Sequence, residues 1–195
     1  MKNFRRFQNL ILILLSLFIL TSCTGNGTVT PEPSIQESIL LNVEYQPGGN
    51  FNGLICGCVP AVTCMNINYL GVDVSIEEVR NAGVVEYKSE VITYAQNLGF
   101  KAKNVQLSMD EIMNTLMKDY PVIVGNKFSL LNDDLHASLI IGVDLKEKII
   151  TTHDPNTVFG AFYERSFEEF EVLSNSPQQG KFDTVVIYKG SEPWK

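Results

Sequence analysis

Between Gly57 and Gly71 the chain is dominated by apolar side chains: Val59, Pro60, Ala61, Val62, Met65, Ile67, Tyr69 and Leu70. The run from Pro60 to Leu70 reads as a helix, stopped by Gly71. A helix with apolar residues on most of its surface must be largely buried, so the rest of the chain has to wrap around it. Pro60 suits the first helical turn, where its missing N–H costs nothing. Cys58 then stands at the helix N-terminus. There the unpaired backbone N–H groups and the positive end of the helix dipole favour thiolate over thiol. A thiolate is a nucleophile. The chain has only two histidines, His136 and His153, so few residues could serve as its base.

Three more helix starts are marked by Ser followed three residues later by Glu: Ser75 with Glu78, Ser108 with Glu111, and Ser166 with Glu169. A further helix is expected from Ser89 to Leu98, ended by Gly99. Strands are expected at Leu40 to Gln46, Pro121 to Val124, Ala137 to Val143, Lys148 to Thr152 and Thr184 to Tyr188. Most helices precede most strands, which points to an α+β fold rather than a doubly wound sheet.

The N-terminus reads as a targeting segment. Lys2, Arg5 and Arg6 precede an apolar core, Leu10 to Leu20, too short for a comfortable membrane span. Leu20-Thr21-Ser22-Cys23 follows and resembles the bacterial lipobox. That resemblance implies removal of residues 1–22, a diacylglyceryl group on Cys23, and attachment to the extracytoplasmic side of a bacterial membrane. Two acyl chains meet the requirement for stable anchoring. Loss of the three cations would take the formal charge from -7 to -10. Such an acidic domain is a poor candidate for binding nucleic acid. Residues 23–38, rich in Gly, Thr, Pro and Glu, read as a flexible tether. Residues 39–195 suffice for one domain with a real core.

The strands on either side of Lys146-Glu147 read as an antiparallel hairpin. Folding it near Leu145 and Lys146 brings His136 and Asp154 roughly opposite each other, where cross-strand neighbours lie about 4.5–5.5 Å apart at Cβ. A carboxylate there would fix the tautomer and orientation of the ring. His153 adjoins Asp154 and should face away from it.

Gly57-Cys58-Val59-Pro60, followed by Met65 and Asn68-Tyr69-Leu70-Gly71, resembles the catalytic-cysteine segment of papain-like bacterial peptidases related to the double-glycine leader (bacteriocin-processing) peptidases. His136-Ala137-Ser138 leading into Gly142-Val143-Asp144 resembles that family's histidine strand, and Asp154-Pro155 its Asp-Pro. The resemblance implies a papain-like fold, with N-terminal helices and a nucleophile at a helix N-terminus packed on a twisted antiparallel sheet. It implies Cys58 as nucleophile, His136 as general base and acid, Asp154 as orienting residue, and Gln46 as an oxyanion donor. Val59 departs from the glycine that many members carry after the cysteine.

The function expected on these grounds is that of a lipid-anchored, extracytoplasmic cysteine peptidase. It would act as a monomer on a peptide or protein substrate, without metal or other cofactor. A peptide-binding module without turnover and a thiol acyltransferase or isopeptidase remain alternatives. Cys56 leaves a redox question open: Cys56 and Cys58 are either free thiols or a strained pair that silences Cys58 until reduced. Cys64 reads as a small core residue.

Overall fold

Strand β4 (Asn132–Asp144) organises the fold, because three other strands pair with it. In the computed structural model, which describes residues 36–48, 57–85, 87–129, 132–174 and 181–195, β4 runs antiparallel to β3 (Val122–Ser129), β5 (Ile149–His153) and the short β1 (Ser38–Leu40). The segment Leu10 to Leu20, Cys23, most of the tether, and Cys56 lie outside the described residues. The sheet is antiparallel throughout, in the order β2 (Lys101–Leu107), β7 (Phe182–Tyr188), β3, β4, β5, β6 (Tyr163–Ser166), with β1 joined to β4. β1 pairs with Gly142 to Asp144, just past the stretch of β4 that β3 covers.

Helix α1 (Cys58–Tyr69) packs against β4 and β3 in the middle of the sheet. Its nine residues from Val59 to Ile67 are all buried, as its nearly all-round apolar sequence requires. Two polar members of this stretch find partners, although Asn66 Oδ1 stays buried without one. The Thr63 hydroxyl donates to the Val59 carbonyl at 2.8 Å, and Asn66 Nδ2 donates to the Pro121 carbonyl at 3.1 Å, tying the helix to the start of β3. Gly71 adopts φ +91°, a conformation that disfavours other residues, and there the chain leaves the helix. Asn68 pins the exit by bonding both the N–H and the carbonyl of Val74.

Helices α2 (Ile76–Asn81) and α4 (Met109–Met117) carry complete capping boxes, from Ser75 with Glu78 and from Ser108 with Glu111. At α5 (Phe167–Leu173) the Ser166 hydroxyl accepts from the Glu169 N–H. Helix α3 runs Ser89–Asn97.

The strands depart from expectation where tertiary contact overrides local pattern. β3 continues through Gly125 and Asn126, which locally read as a stop. The Tyr87 ring lies 2.8 Å from where a Gly125 side chain would begin, so only glycine fits the strand there. The first strand spans Ser38 to Leu40 rather than reaching Gln46. β2 and β6 were not expected. They form the two edges of the main sheet order, where polar and charged side chains mask the strand signal.

Candidate active site

Three elements converge at one end of the sheet: the N-terminus of α1, the early part of β4, and the turn after β5. Cys58 is the first residue of α1. Its N-cap, Gly57, offers no side-chain bond, so the helix N-terminus keeps its unspent donors. Cys58 is partly exposed and a free thiol.

His136 is 8 % exposed and Asp154 fully buried. His136 Nε2 lies 2.8 Å from Asp154 Oδ1. That leaves Nδ1 for the Cys58 thiol, whose ionisation is coupled to that of the ring. The hairpin reading places His136 and Asp154 roughly opposite each other. The register instead pairs His153 with Leu139, with a bulge between Ile140 and Gly142. Asp154 therefore meets His136 diagonally, from just beyond the strand end. The turn after β5 holds the carboxylate, because the Asn156 N–H also donates to Asp154 Oδ1 at 2.9 Å. His153 points to the other face as expected. It is fully buried, with Nε2 on the Val43 carbonyl at 2.8 Å and Nδ1 accepting from the Phe162 N–H at 3.1 Å. The Nδ1 bond requires the neutral ring with its proton on Nε2, and burial lowers the pKa against the opposing pull of the Val43 carbonyl.

Burial is the largest influence on the Cys58 thiol and opposes its ionisation. The His136 hydrogen bond and charge outweigh it, together with backbone hydrogen bonds to Ala137 and Val59, and hold the thiol below its ordinary value. Burial likewise disfavours the His136 imidazolium, but the bonds to Asp154 and Cys58 and their charges prevail, raising its pKa to about 9. The two shifts have opposite sign, as a thiolate–imidazolium pair requires.

Sequence reasoning missed the surroundings of this pair. The Phe128 ring meets His136 edge-on at 5.4 Å and Phe159 packs behind it at 5.6 Å. The Tyr45 hydroxyl donates to the Asp154 carbonyl at 3.0 Å. Gly48 donates to the Pro155 carbonyl at 2.9 Å, and a side chain on Gly48 would lie 3.0 Å from the Gly57 carbonyl. Gly48 thus lets the chain before Cys58 lie against the Asp154-Pro155 turn. Nothing local in the sequence marks these residues, because each acts across more than 100 positions or through an aromatic contact.

Gln46 is placed differently. Its Oε1 accepts from the Cys64 thiol at 3.2 Å, and its backbone N–H meets Met65 Sδ at 3.2 Å. Cys64 lies six residues beyond Cys58, roughly 9 Å along the helix axis. Among the described residues no hydrogen bond joins Gln46 to Cys58. The buried Cys64 thiol needs acceptors and finds them in Gln46 and the Val74 carbonyl, which leaves Gln46 with its Nε2 end as donor.

A buried helix bearing a cysteine at its N-terminus, packed on an antiparallel sheet that presents a histidine and an aspartate, defines the papain-like peptidase class of folds. The chain belongs to the Peptidase_C39 like family, which matches residues 40–176. Among solved structures it is similar to a C39-like peptidase from Bacillus anthracis, with 17% identity and a TM-score of 0.61, over 80% of this chain and 100% of that one. It is also similar to the peptidase domain of Streptococcus ComA, a bi-functional ABC transporter involved in quorum sensing, with 17% identity and a TM-score of 0.50, over 78% of this chain and 96% of that one. No curated protein matches the chain in sequence.

Proposed function

We propose that this chain is a cysteine peptidase with Cys58 as nucleophile, His136 as general base and acid, and Asp154 as the residue that orients the ring. The observation that carries this reading is the opposed pair of shifts: a thiol held below its usual pKa facing an imidazole raised to about 9 and anchored on a buried carboxylate at 2.8 Å. The Cys58 thiolate attacks the carbonyl of an extended peptide. The backbone N–H of Cys58 donates to the oxyanion that forms, and Gln46 joins it only when its side chain leaves the Cys64 thiol. The imidazolium of His136 gives its proton to the leaving amine, and the neutral ring then activates water to release the acyl group.

The fold family and the lipobox-like Leu20-Thr21-Ser22-Cys23 together suggest a peptidase tethered outside the cell by a lipid on Cys23. Cys58→Ala should abolish cleavage of a peptide library while keeping the circular dichroism spectrum of the folded wild type. Full activity in that variant would refute the assignment. Labelling with radioactive fatty acid, lost in Cys23→Ala, tests the anchor.

A further inference from the structure

The buried carboxylate that holds His136 has a second neighbour. Arg165, on β6, is 2 % exposed, and its Nη2 lies 3.7 Å from Asp154 Oδ2. Asp154 Oδ1 is occupied by His136 and the Asn156 N–H, whereas Oδ2 has no hydrogen-bond partner. Nε and Nη1 of Arg165 also lack one. The guanidinium is held instead by ring faces, 4.4 Å from the Tyr163 centroid and 5.1 Å from that of Phe159. Glu169 on α5 approaches Nε at 3.7 Å, but it is 44% exposed and solvated. A full charge buried with so few hydrogen bonds is costly, and an apolar side chain of that size would pack at least as well. Packing alone therefore gives no reason for a guanidinium here.

We propose that Arg165 is a positioning residue for the Cys58 site: it is the terminal countercharge of a buried row, Cys58 thiolate, His136 imidazolium, Asp154 carboxylate, Arg165 guanidinium, whose signs alternate and sum to zero. This deepens the peptidase reading and rests on it. Without Arg165 the row carries an uncompensated negative charge in a poorly hydrated place. The thiolate, the member nearest solvent, relieves it by taking up a proton. The groups facing Arg165 are Asp154 from the turn after β5, Glu169 from α5 and the Tyr163 ring on its own strand. Those facing Cys58 and Asp154 are His136 from β4 and, at the Asp154 backbone carbonyl, Tyr45.

The test is the pH dependence of iodoacetamide alkylation of Cys58 in the full chain, read by mass spectrometry of the Cys58 peptide. It compares wild type, Arg165→Met and Arg165→Lys. The expected result is a midpoint higher in Arg165→Met, by less than the roughly 1–3 units that a charge exerts at about 4–6 Å, because Arg165 approaches Asp154 and not the thiol. At least half of that shift should be reversed in Arg165→Lys, which restores the charge without the planar fork. A wild-type midpoint already depressed and unmoved in Arg165→Met overturns this inference alone. A wild-type midpoint at the ordinary thiol value overturns the Cys58–His136 ion pair and this inference with it. If Arg165→Met fails to fold, the double variant Asp154→Asn with Arg165→Met decides. Removing both charges restores folding if Arg165 answers Asp154, and continued loss of folding overturns the proposal.

Discussion

Replacing His136 with Ala should change the chemistry of Cys58 in a way that depends on pH. Burial raises the Cys58 pKa, and the two largest opposing influences are the hydrogen bond and the charge of His136. The variant loses both and keeps the smaller backbone contributions of Ala137 and Val59. The thiol should then titrate at or above its ordinary value of 9.0. A neighbouring cation typically depresses a pKa by about 1–3 units, and each unit is tenfold in thiolate fraction. Alkylation at pH 6 should therefore fall about 10- to 1000-fold in His136→Ala. At pH 10 both proteins are largely thiolate, so the rates should converge. The variant could even be the faster there, because a less acidic thiol gives a more nucleophilic thiolate. The assay is second-order alkylation by iodoacetamide from pH 5 to 10, with the Cys58 adduct quantified by mass spectrometry. A rate ratio that stays constant across pH would mean that the substitution altered access and not ionisation. Superimposed profiles would mean that His136 does not face the thiolate. Either result would refute the reasoning.

Linkage gives a second prediction. The His136 pKa is raised, so its contribution to stability is full below about 6.5 and is lost as pH rises through about 9; the Cys58 pKa is lowered from 9.0, so its contribution is full above that value and is lost as pH falls through the depressed one. Below about pH 9, and above both 6.5 and the depressed Cys58 value, the two cancel, and the pair should leave the wild-type melting temperature level there. Cys58→Ala removes the thiol's contribution and the part of the His136 shift that the thiol supports, leaving the part due to Asp154, so its melting temperature should fall with rising pH just above about 6.5; a slope equal to that of wild type would contradict the pairing. Gly48→Ala should cost about 1–3 kcal/mol by overpacking and lower kcat/KM, since its new Cβ would meet the Gly57 carbonyl at 3.0 Å and Pro155 Cβ at 3.1 Å; unchanged activity would show that this contact does not set the site. Gln46→Ala should lower kcat about 10²- to 10³-fold with KM little changed if its Nε2 serves the oxyanion, a split that steady-state kinetics reads directly. Ile67→Ala, in the fully buried face of α1, should cost about 2–5 kcal/mol in denaturant unfolding and leave the Cys58 alkylation profile unmoved.

Local chemistry in the sequence determined a good deal. Gly57 and Gly71 bound an apolar run that can only be a buried helix, and the Ser–Glu pairs at 75/78 and 108/111 marked helix starts that the structure closes as capping boxes. These signals depend on neighbours within one or two turns, which is why they are legible without a fold. The alternation of side chains along a strand likewise put His136 and Asp154 on one face and His153 on the other.

Tertiary structure decided what depends on register and on distant surfaces. The bulge between Ile140 and Gly142 made the His136–Asp154 contact diagonal. Pairing with β4 carried β3 on through Gly125 and Asn126, and the Tyr87 ring filled the space beside Gly125. The Cys64 thiol took the carbonyl end of Gln46. Arg165, an ordinary charged residue on a short edge strand, became the buried neighbour of Asp154 only once the β5–β6 hairpin closed. The thiol at a helix N-terminus was written in four consecutive residues. The charge that sets its ionisation comes from His136 on β4, anchored by Asp154 just beyond β5, and only chain folding brings these groups within the few ångströms over which hydrogen bonds and buried charges act.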